Sequence, residues 1–320
     1  MSKPKILATG PLDDYSEGVL GKFGDCIISP DTREETLLSL IDGAVALAVR
    51  GVPPITANLI NSAKDLKVIG RSGVGYSNVD VEAATARGIP LIYTPGAGAR
   101  AVAEASITFM LALCKQLVPF DRETKKGNWN SRFDIQGSDM DGATLGIIGL
   151  GRIGQDVAQL ASVFDMKLIG YDPYLDDAVA AKLNIEKVEL KSLYNRSDFI
   201  AIHCAETPET RGLINAESIQ EFKKGVYLIN LSRGSVIGDM DALCDALKEG
   251  RIAGAGLDVY EPEPPNFDHP IFKLDNVLTT PHAMATTRGA MKCIYKSMAD
   301  DMAAVLEGKK PRFVVNPEVL

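Results

Sequence analysis

A glycine-rich turn near the middle of the chain has the spacing of a dinucleotide-binding loop. Gly149, Gly151 and Gly154 form the pattern G-x-G-x-x-G directly after the apolar run TLGII and at the start of the segment RIGQDVAQLASVF. In such a loop the first glycine permits a tight turn, the second lets a pyrophosphate approach the backbone, and the third lets helix and strand pack closely. The N–H groups of the helix N-terminus then face the pyrophosphate charge. Glycine spacing alone is a weak signal, because glycines occur in many turns between strands and helices.

An acidic residue follows at the distance expected for the ribose of the same nucleotide. Asp172 ends the next apolar run, KLIGYD, 23 residues after Gly149. A carboxylate there can accept hydrogen bonds from ribose hydroxyls, and it repels a 2′-phosphate. The sequence therefore predicts binding of NAD in preference to NADP, and a turn with a solvent-facing aspartate is the alternative.

Three further side chains could exchange a proton and bind a carboxylate. His282, in LTTPH, can take a hydroxyl proton near neutral pH, as hydride removal from an alcohol requires, although a single histidine at a strand end is more often structural. Arg233, in INLSRGS, can bind a carboxylate through two parallel hydrogen bonds or form a surface salt bridge. In DVYEPEPP, either Glu263 or Glu261 could hold the imidazole in one tautomer and raise its pKa.

These residues follow short apolar runs that have the length of strands. Ligands of parallel sheets bind at the carboxyl ends of the strands, where such residues would lie. Other polar residues follow apolar runs in the same way: Arg50, Arg71–Gly75, His203, Ser232 and Asp258.

The apolar runs have strand length and recur with helix-length spacers between them. Runs that are buried on both faces are typical of parallel sheets covered by helices. In the first part of the chain the runs are KILATG, DCIISP, GAVALAV, KVIGRS and PLIYTP. In the second part they are TLGIIG, KLIGYD, FIAIHC, VYLINLS, AGAGLDV and NVLTTPH. We therefore predict an α/β protein with two doubly wound parallel sheets, the first of five strands and the second of about six.

Two longer helices are predicted in addition to this alternation of strands and helices. The stretch from Val102 to Leu117 is apolar nearly all round, which predicts a helix buried against a second surface, either of the same chain or of another subunit. The segment MKCIYKSMADDMAAVLEG predicts one long helix near the C-terminus, by which the chain returns to the first domain.

Composition limits the class of protein. A length of 320 residues favours about two domains. The net charge of −8 argues against binding to nucleic acid, so an anionic ligand must be bound by local positive charge. Five separated cysteines without a CxxC pair indicate a reduced, cytoplasmic protein without a metal site. No membrane span is expected, because no stretch approaches 18 uninterrupted apolar residues.

From about residue 43 to the C-terminus the chain resembles the D-isomer-specific 2-hydroxyacid dehydrogenases, because several strings occur in the order and spacing of that family. They are GRSGVGYSNVDVEAATARGI, TPGAGARAVAE, TLGIIGLGRIG, GYDP, TPETRGLIN, INLSRGSVI, AGAGLDVYEPEPP and TPH. The resemblance is greatest to the branch of the family that acts on 3-phosphoglycerate. It implies a flavodoxin-like substrate-binding domain (1–98 with 287–320), a Rossmann NAD-binding domain (99–286), and a homodimer formed through the NAD-binding domain.

The resemblance also implies roles for individual residues. Arg233 binds the substrate carboxylate and polarises the C2 oxygen, His282 exchanges the hydroxyl proton, and Glu263 supports the imidazolium. The family's glutamate directly precedes the proline that is Pro264 here, so the resemblance selects Glu263 over Glu261. The implied NAD-binding residues are Gly149, Gly151, Arg152, Ile153, Gly154, Asp172, Cys204, Leu231, Ser232 and Asp258. The implied substrate-binding residues are Arg50, Val74, Gly75 and Arg233.

The implied activity is hydride transfer between C2 of a small anionic D-2-hydroxyacid and NAD. The acid is expected to be 3-phosphoglycerate, with phosphohydroxypyruvate as its oxidised form. Hydroxypyruvate, glyoxylate or another small 2-oxoacid is the alternative, and an NAD-sensing corepressor-like protein is the alternative from another class.

Several positions depart from the family pattern and bear on the substrate, among them Ala205-Glu206, where Pro-Leu is common. Ser77 replaces an aspartate, Gly98 replaces a frequent asparagine, and Met284 stands where a small residue is usual. Arg50 aligns with the arginine that contacts the substrate phosphate, but the Gly51–Pro54 turn after it lacks the usual hydroxyl side chains. A methionine two residues after His282 could reshape the substrate site.

Overall fold

The computed structural model describes residues 4–51 and 53–320; Val52, in the Gly51–Pro54 turn, lies outside the described residues. The chain divides into two compact units. One unit runs to Gly98 and resumes with Thr287–Leu320, and the other is Ala99–Thr286.

Each unit is built from alternating strands and helices. The strands, in chain order, are β1 (Lys5–Ala8), β2 (Asp25–Ile28), β3 (Ala44–Val49), β4 (Val68–Arg71), β5 (Leu91–Ile92), β6 (Thr144–Ile148), β7 (Lys167–Tyr171), β8 (Ile185–Lys187), β9 (Phe199–Ile202), β10 (Val226–Asn230), β11 (Ile252–Leu257) and β12 (Val277–Thr279). The helices are α1 (Asp14–Leu20), α2 (Glu34–Leu40), α3 (Ala57–Ser62), α4 (Val81–Ala86), α5 (Ala99–Cys114), α6 (Leu117–Lys125), α7 (Arg152–Ala161), α8 (Asp177–Lys182), α9 (Leu190–Arg196), α10 (Ala216–Gln220), α11 (Met240–Lys248) and α12 (Arg288–Leu306).

The first unit contains a parallel sheet in the order β2-β1-β3-β4-β5. This is the strand order of flavodoxin-like folds, so the predicted fold of this part is confirmed. Side-chain caps fix where the helices begin: Asp13 caps α1, Thr56 caps α3 and Asp80 caps α4. The long C-terminal helix α12 packs on α1, β4 and β5, which confirms that the chain returns to the first sheet.

The second unit contains a parallel sheet in the order β12-β11-β10-β9-β6-β7-β8. Counted from β6, this is the Rossmann order, so the second part of the fold prediction is also confirmed. The sheet has seven strands where about six were expected. The additional strand, β8, consists of Ile-Glu-Lys at the sheet edge, and a single apolar residue gives no strand signal in the sequence.

The strand register of the second sheet aligns the ends of six strands in one row. Consecutive pairings join Tyr171, Ile148, Ile202, Asn230, Leu257 and Thr279. These are the last residues of their strands. Side chains one to three positions further along the chain therefore gather at one edge of this sheet.

The predicted helix from Val102 to Leu117 is wrong in its bounds. The helix α5 ends at Cys114, Gln116 takes a left-handed conformation with φ 53°, and α6 begins at Leu117. Pro119 explains the break, because its ring would clash with the carbonyl of residue 115 in a continuous helix. The buried face of α5 packs on α7, β10 and β11 of its own unit.

Among the described residues, no single helix is long and apolar enough to cross a membrane. The helices α5 and α6 reach the required length and composition only when taken together across their 58° bend.

Candidate active site

The glycine loop between β6 and α7 has the geometry that its three glycines predict. Gly149 adopts φ +89°, and a Cβ on it would lie 2.3 Å from the backbone nitrogen of Cys204. A Cβ on Gly154 would lie 2.1 Å from the carbonyl oxygen of Gly149. A Cβ on Gly151 would meet nothing within 4 Å, and Gly151 is the N-cap of α7 without a capping side chain. The protein thus leaves open space beside the first turn of α7, where an anion would be favoured.

Asp172, at the end of β7, fixes this loop. Its Oδ2 accepts a hydrogen bond of 2.7 Å from the backbone N–H of Leu150, and its Oδ1 accepts one of 2.9 Å from Tyr174. The carboxylate is therefore oriented beside the loop and remains partly exposed. A carboxylate in this place can also accept hydrogen bonds from ribose hydroxyls.

Two residues after β9 line the other side of the loop. Cys204 is half-buried, and burial raises the pKa of its thiol to about 11, so the thiol stays protonated at neutral pH. His203 donates or accepts a hydrogen bond of 3.1 Å between its Nε2 and the Oγ of Ser106 on α5. Its Nδ1 is buried without a hydrogen-bond partner among the described residues.

Burial lowers the pKa of His203 to about 4, whereas a histidine in the unfolded chain titrates near 6.5. Between these values the unfolded chain binds a proton that the native imidazole does not, so stability is present above pH 6.5 and is lost as the pH falls. The variant His203→Gln can keep a hydrogen bond to Ser106 but does not titrate. When the pH falls from 7 to 5, its free energy of unfolding should therefore decrease by about 2 kcal/mol less than that of wild type. Urea unfolding at both pH values measures this, and an equal loss in the two proteins would contradict it.

His282 and Glu263 form a hydrogen-bonded pair in the second unit. The Nδ1 of His282 lies 2.9 Å from Oε2 and 3.1 Å from Oε1 of Glu263. The Oε1 also accepts a hydrogen bond of 3.1 Å from the backbone N–H of Tyr260, so the carboxylate is held from its other side. Of the two glutamates considered from the sequence, Glu263 makes this contact. With Nδ1 directed at a carboxylate, Nε2 is the nitrogen free to exchange a proton.

Asp258 anchors the segment that carries His282. Its carboxylate accepts hydrogen bonds from the hydroxyl of Thr280 at 2.6 Å and from the backbone N–H groups of Ala283 at 2.8 Å and Met284 at 3.3 Å. His282, between these contacts, has a left-handed φ of 52°. Such a conformation persists where surrounding contacts determine it, and Asp258 supplies those contacts.

Arg233 lies in a turn shaped by a buried asparagine. The side chain of Asn230, the last residue of β10, donates to the carbonyl of Arg233 at 2.9 Å and accepts from the N–H of Ser232 at 3.1 Å. The guanidinium Nη1 of Arg233 donates to the carbonyl of Ser232 at 2.7 Å. A Cβ on Gly234 would lie 1.9 Å from the carbonyl carbon of Tyr260, so this turn packs backbone to backbone against the start of the Glu263 loop.

The remaining predicted residues of the second unit surround the same sheet edge. Arg152 is exposed and Ile153 half-buried in the first turn of α7, while Leu231 and Ser232 are buried after β10. Met284 is partly buried against the core cluster that includes Leu150 and Ile147.

The predicted substrate residues Arg50, Val74 and Gly75 belong to the first unit. Arg50 follows β3, and Val74 is 48% exposed in the turn after β4. Both turns lie at the carboxyl ends of strands that pair in register, with Val49 opposite Arg71.

Sequence reasoning did not assign Asn230, Thr280 or Ser106 a role. Asn230 offered a signal, because it is a polar residue at the end of an otherwise apolar strand, VYLIN. Ser106 offered none, since its partner His203 is 97 residues away and only the packing of α5 brings them together.

The geometry defines the class of protein to which the chain belongs. A Rossmann sheet carries a glycine loop open to an anion, and the same edge carries an arginine and a histidine paired with a glutamate. This is the arrangement of a Rossmann-type dinucleotide-binding unit with a polar site at the same sheet edge.

The comparisons with known proteins identify the family. Residues 107–284 match the family described as D-isomer specific 2-hydroxyacid dehydrogenase, NAD binding domain. The chain therefore belongs to the D-isomer specific 2-hydroxyacid dehydrogenases, and the predicted family and cofactor, NAD, are confirmed.

Two relatives are named for different substrates. The chain is 42% identical over 313 residues to a D-3-phosphoglycerate dehydrogenase of Methanocaldococcus jannaschii, which covers 98% of this chain and 59% of that protein. It is 37% identical over 329 residues to a glyoxylate reductase of Thermofilum pendens, which covers 100% of this chain and 96% of that protein. The chain thus spans about three fifths of the length of the curated D-3-phosphoglycerate dehydrogenases it matches.

A solved structure agrees in fold. The D-lactate dehydrogenase of Aquifex aeolicus, determined with NAD and lactic acid, has a TM-score of 0.87 at 28% identity and covers 98% of this chain and 99% of its own.

Proposed function

We propose that the protein catalyses reversible hydride transfer between C2 of a small anionic D-2-hydroxyacid and NAD. The observation that carries this proposal is the pair of His282 and Glu263, 2.9 Å apart, at the same sheet edge as the glycine loop and Arg233. Family membership supports it.

The protein's own groups move the proton and hold the acid. Glu263 accepts from Nδ1 of His282 and favours the tautomer whose Nε2 takes the proton of the C2 hydroxyl. The Nε2 returns that proton when the 2-oxoacid is reduced. Arg233 binds the carboxylate and polarises the C2 oxygen, because its guanidinium can donate two parallel hydrogen bonds. Val74 and Gly75, in the turn after β4 of the first unit, stay the predicted residues for backbone contacts to the substrate.

The residues of the glycine loop fit NAD. The open space at Gly151 and the first turn of α7, with Arg152 and Ile153, would hold the pyrophosphate, and Asp172 would bind the ribose hydroxyls. Cys204 would line the adenine side, while Leu231, Ser232 and Asp258 would contact the nicotinamide half. The bound cofactor supplies the hydride acceptor of the oxidation.

The acid that we propose first is 3-phosphoglycerate, with phosphohydroxypyruvate as its oxidised form. Several relatives are D-3-phosphoglycerate dehydrogenases, and Arg50 supplies a cation in the first unit. Hydroxypyruvate or glyoxylate is the second candidate, because a relative covered almost in full is a glyoxylate reductase and Gly51 and Gly98 carry no phosphate-binding side chain.

Oxidation of NADH measured at 340 nm against phosphohydroxypyruvate, hydroxypyruvate, glyoxylate, pyruvate and 2-oxoglutarate tests the proposal. We expect the highest kcat/KM for phosphohydroxypyruvate and a slower reaction with hydroxypyruvate. Turnover of the unphosphorylated acids alone would favour the second candidate. NADH binding without turnover of any of the five acids would contradict an enzymatic role and support an NAD-sensing one.

We also propose a cytoplasmic homodimer formed through the NAD-binding unit. Five widely separated cysteines without a CxxC pair are in keeping with a reducing compartment. Because α5 is covered by its own unit, the contact would fall on the apolar residues that follow it. These are exposed: Leu117 by 60%, Val118 by 46%, Trp129 by 68% and Phe133 by 75%.

Trp129→Ser combined with Phe133→Ser should convert the dimer to a monomer, because it removes the two largest exposed aromatic side chains of this surface. Sedimentation velocity at micromolar concentration measures the change. Tyr174→Ser is the matched control, since Tyr174 is 94% exposed in the same unit and lies outside this surface. A wild-type protein that sediments as a monomer would contradict the proposal.

A further inference from the structure

Thr280 and Asp258 lie side by side because the last two strands of the second sheet are parallel and in register. The pairing of β11 with β12 places Leu257 opposite Thr279. The N–H of Thr280 donates to the carbonyl of Leu257 at 3.0 Å, which continues the ladder by one step. Asp258 and Thr280 therefore leave the sheet together at the edge that carries the candidate site.

The Asp258 carboxylate is buried and accepts hydrogen bonds from three donors. The residue is only 4% exposed. Its Oδ1 accepts from the Thr280 hydroxyl at 2.6 Å and from the N–H of Ala283 at 2.8 Å, and its Oδ2 accepts from the N–H of Met284 at 3.3 Å. The hydroxyl bond is the shortest of the three and has the length of a charge-assisted hydrogen bond. A buried carboxylate that lost this donor would be left partly unsatisfied.

The local chain limits where the Thr280 hydroxyl can point. Thr280 precedes Pro281, and the proline ring keeps the residue before it in the extended region. A β-branched side chain also has few allowed χ1 rotamers. Thr280 therefore donates to Asp258 with a smaller loss of conformational entropy than a flexible donor would have.

His282 lies between these contacts in a conformation that needs support. Its φ of 52° is left-handed, and a residue with a Cβ keeps such a conformation only where its surroundings determine it. The N–H of His282 donates to the carbonyl of Thr280 at 3.1 Å, and the next N–H along the chain donates to Asp258. Thr280 thus holds the backbone before His282 directly and the backbone after it through Asp258.

We propose that Thr280 is a positioning residue for His282. Its hydroxyl holds the Asp258 carboxylate in the orientation that bonds the two N–H groups after His282, and these bonds keep the imidazole beside Glu263. The inference rests on the proposed function, in which His282 exchanges the proton of the substrate. Thr280 acts through Asp258 and the backbone, and it touches neither substrate nor cofactor.

The variant Thr280→Val keeps the shape of the side chain and removes the hydroxyl. It should lower kcat for the best 2-oxoacid about 10-fold, because a small displacement of the imidazole spoils its alignment with the reacting atoms. The KM for NADH should stay within about threefold of wild type, because the glycine loop and Asp172 lie after other strands. Thr280→Ser restores the hydroxyl and should return kcat to within about threefold of wild type, since only the β-branch is lost.

The variant Thr108→Val is the matched control. Thr108 is exposed on α5 of the same unit, and its hydroxyl donates to the carbonyl of Glu104 in its own helix at 2.8 Å. We expect its kcat to equal that of wild type. Thr280→Ala, in which no additional methyl group faces the Asp258 carboxylate, should show the same fall as Thr280→Val and replaces it if the valine protein does not fold. A Thr280→Val protein as fast as the control, or a Thr280→Ser protein as slow as Thr280→Val, overturns the inference.

A double variant separates positioning from a general loss of structure. If Thr280 acts through His282, Thr280→Val should have no further effect on the residual kcat in the His282→Ala background. An equal fall in kcat with and without the imidazole would mean that Thr280 supports the unit as a whole, and it overturns the positioning role.

Amide hydrogen exchange tests the inference without turnover. The N–H groups of Ala283 and Met284 exchange when their bonds to Asp258 open. Their exchange should be about 10-fold faster in Thr280→Val than in wild type, and unchanged in Thr280→Ser and Thr108→Val. If wild type reduces no 2-oxoacid, the proposed function fails, while this pattern still supports the hold of Thr280 on the segment. Equal exchange in all four proteins overturns the inference.

Discussion

The variant His282→Ala is expected to reduce kcat for the best 2-oxoacid by about 10³-fold, because it removes the group that exchanges the C2 proton in the proposed mechanism. Glu263 loses its partner but keeps the hydrogen bond from Tyr260, so its loop should keep its position. The affinity for NADH should change little, since the pyrophosphate loop lies after β6 and does not include His282. Steady-state kinetics and the quenching of protein fluorescence by NADH measure the two quantities.

His269→Ala is the matched control for this prediction. The imidazole of His269 also faces a carboxylate, with Nε2 3.0 Å from Asp241 Oδ1, but it belongs to the short helical turn before β12. We expect its kcat to remain near that of wild type. A His282→Ala protein that binds NADH and turns over at the wild-type rate would show that the acid–base assignment is wrong.

The variant Arg233→Ala should reduce kcat/KM by about 10³-fold. In the proposed mechanism, this change removes the donors that bind the substrate carboxylate and that stabilise charge on the C2 oxygen as the bond changes. Part of the loss should appear in KM and part in kcat, because the carboxylate is bound throughout and the oxygen charge develops only in the transition state. Measurement of kcat and KM at saturating NADH tests how the loss is divided between them.

Added guanidinium ion should partly restore the rate of Arg233→Ala, because the turn held by Asn230 retains the space of the missing group. Arg233→Lys should recover less than the native side chain, since an ammonium lacks the planar fork. Arg251→Ala is the control: Arg251 precedes β11 at the opposite edge of the same sheet and donates to the carbonyl of Gln220. Loss of rate in Arg251→Ala equal to that in Arg233→Ala would indicate damage to the sheet instead of a role in the site.

Much of the fold follows from local pattern. Runs such as VALAV before Arg50 and TLGII before Gly149 are short and carry no charged residue, which is typical of a strand buried on both faces. The extra strand β8 and the break at Gln116 escape this reasoning for different reasons. The strand β8 is too short and too polar to give a signal. The break at Gln116 arises because the ring of Pro119 would clash with a carbonyl of the preceding helical turn.

The contacts of the candidate site follow less from local sequence than the strands and helices do. Glu261 and Glu263 are equivalent by composition and spacing, and family resemblance favours Glu263. The loop geometry then directs the Glu263 carboxylate at both His282 and the N–H of Tyr260. Asp258 stands next to β11 in sequence, and its three contacts with residues 280–284 arise because β11 and β12 pair in parallel register.

The sequence by itself determined the two sheets, the glycine loop, the acidic residue after β7 and the chemical types of the residues after the strands. These features depend on neighbouring residues and on backbone conformations that few residue types allow. Only the tertiary structure decided which of those side chains share hydrogen bonds or a ring face. Arg50 and Tyr295, for example, are far apart in the chain and meet because α12 packs on the first sheet. Such contacts are set by the packing of whole elements, and no local pattern of residues specifies them.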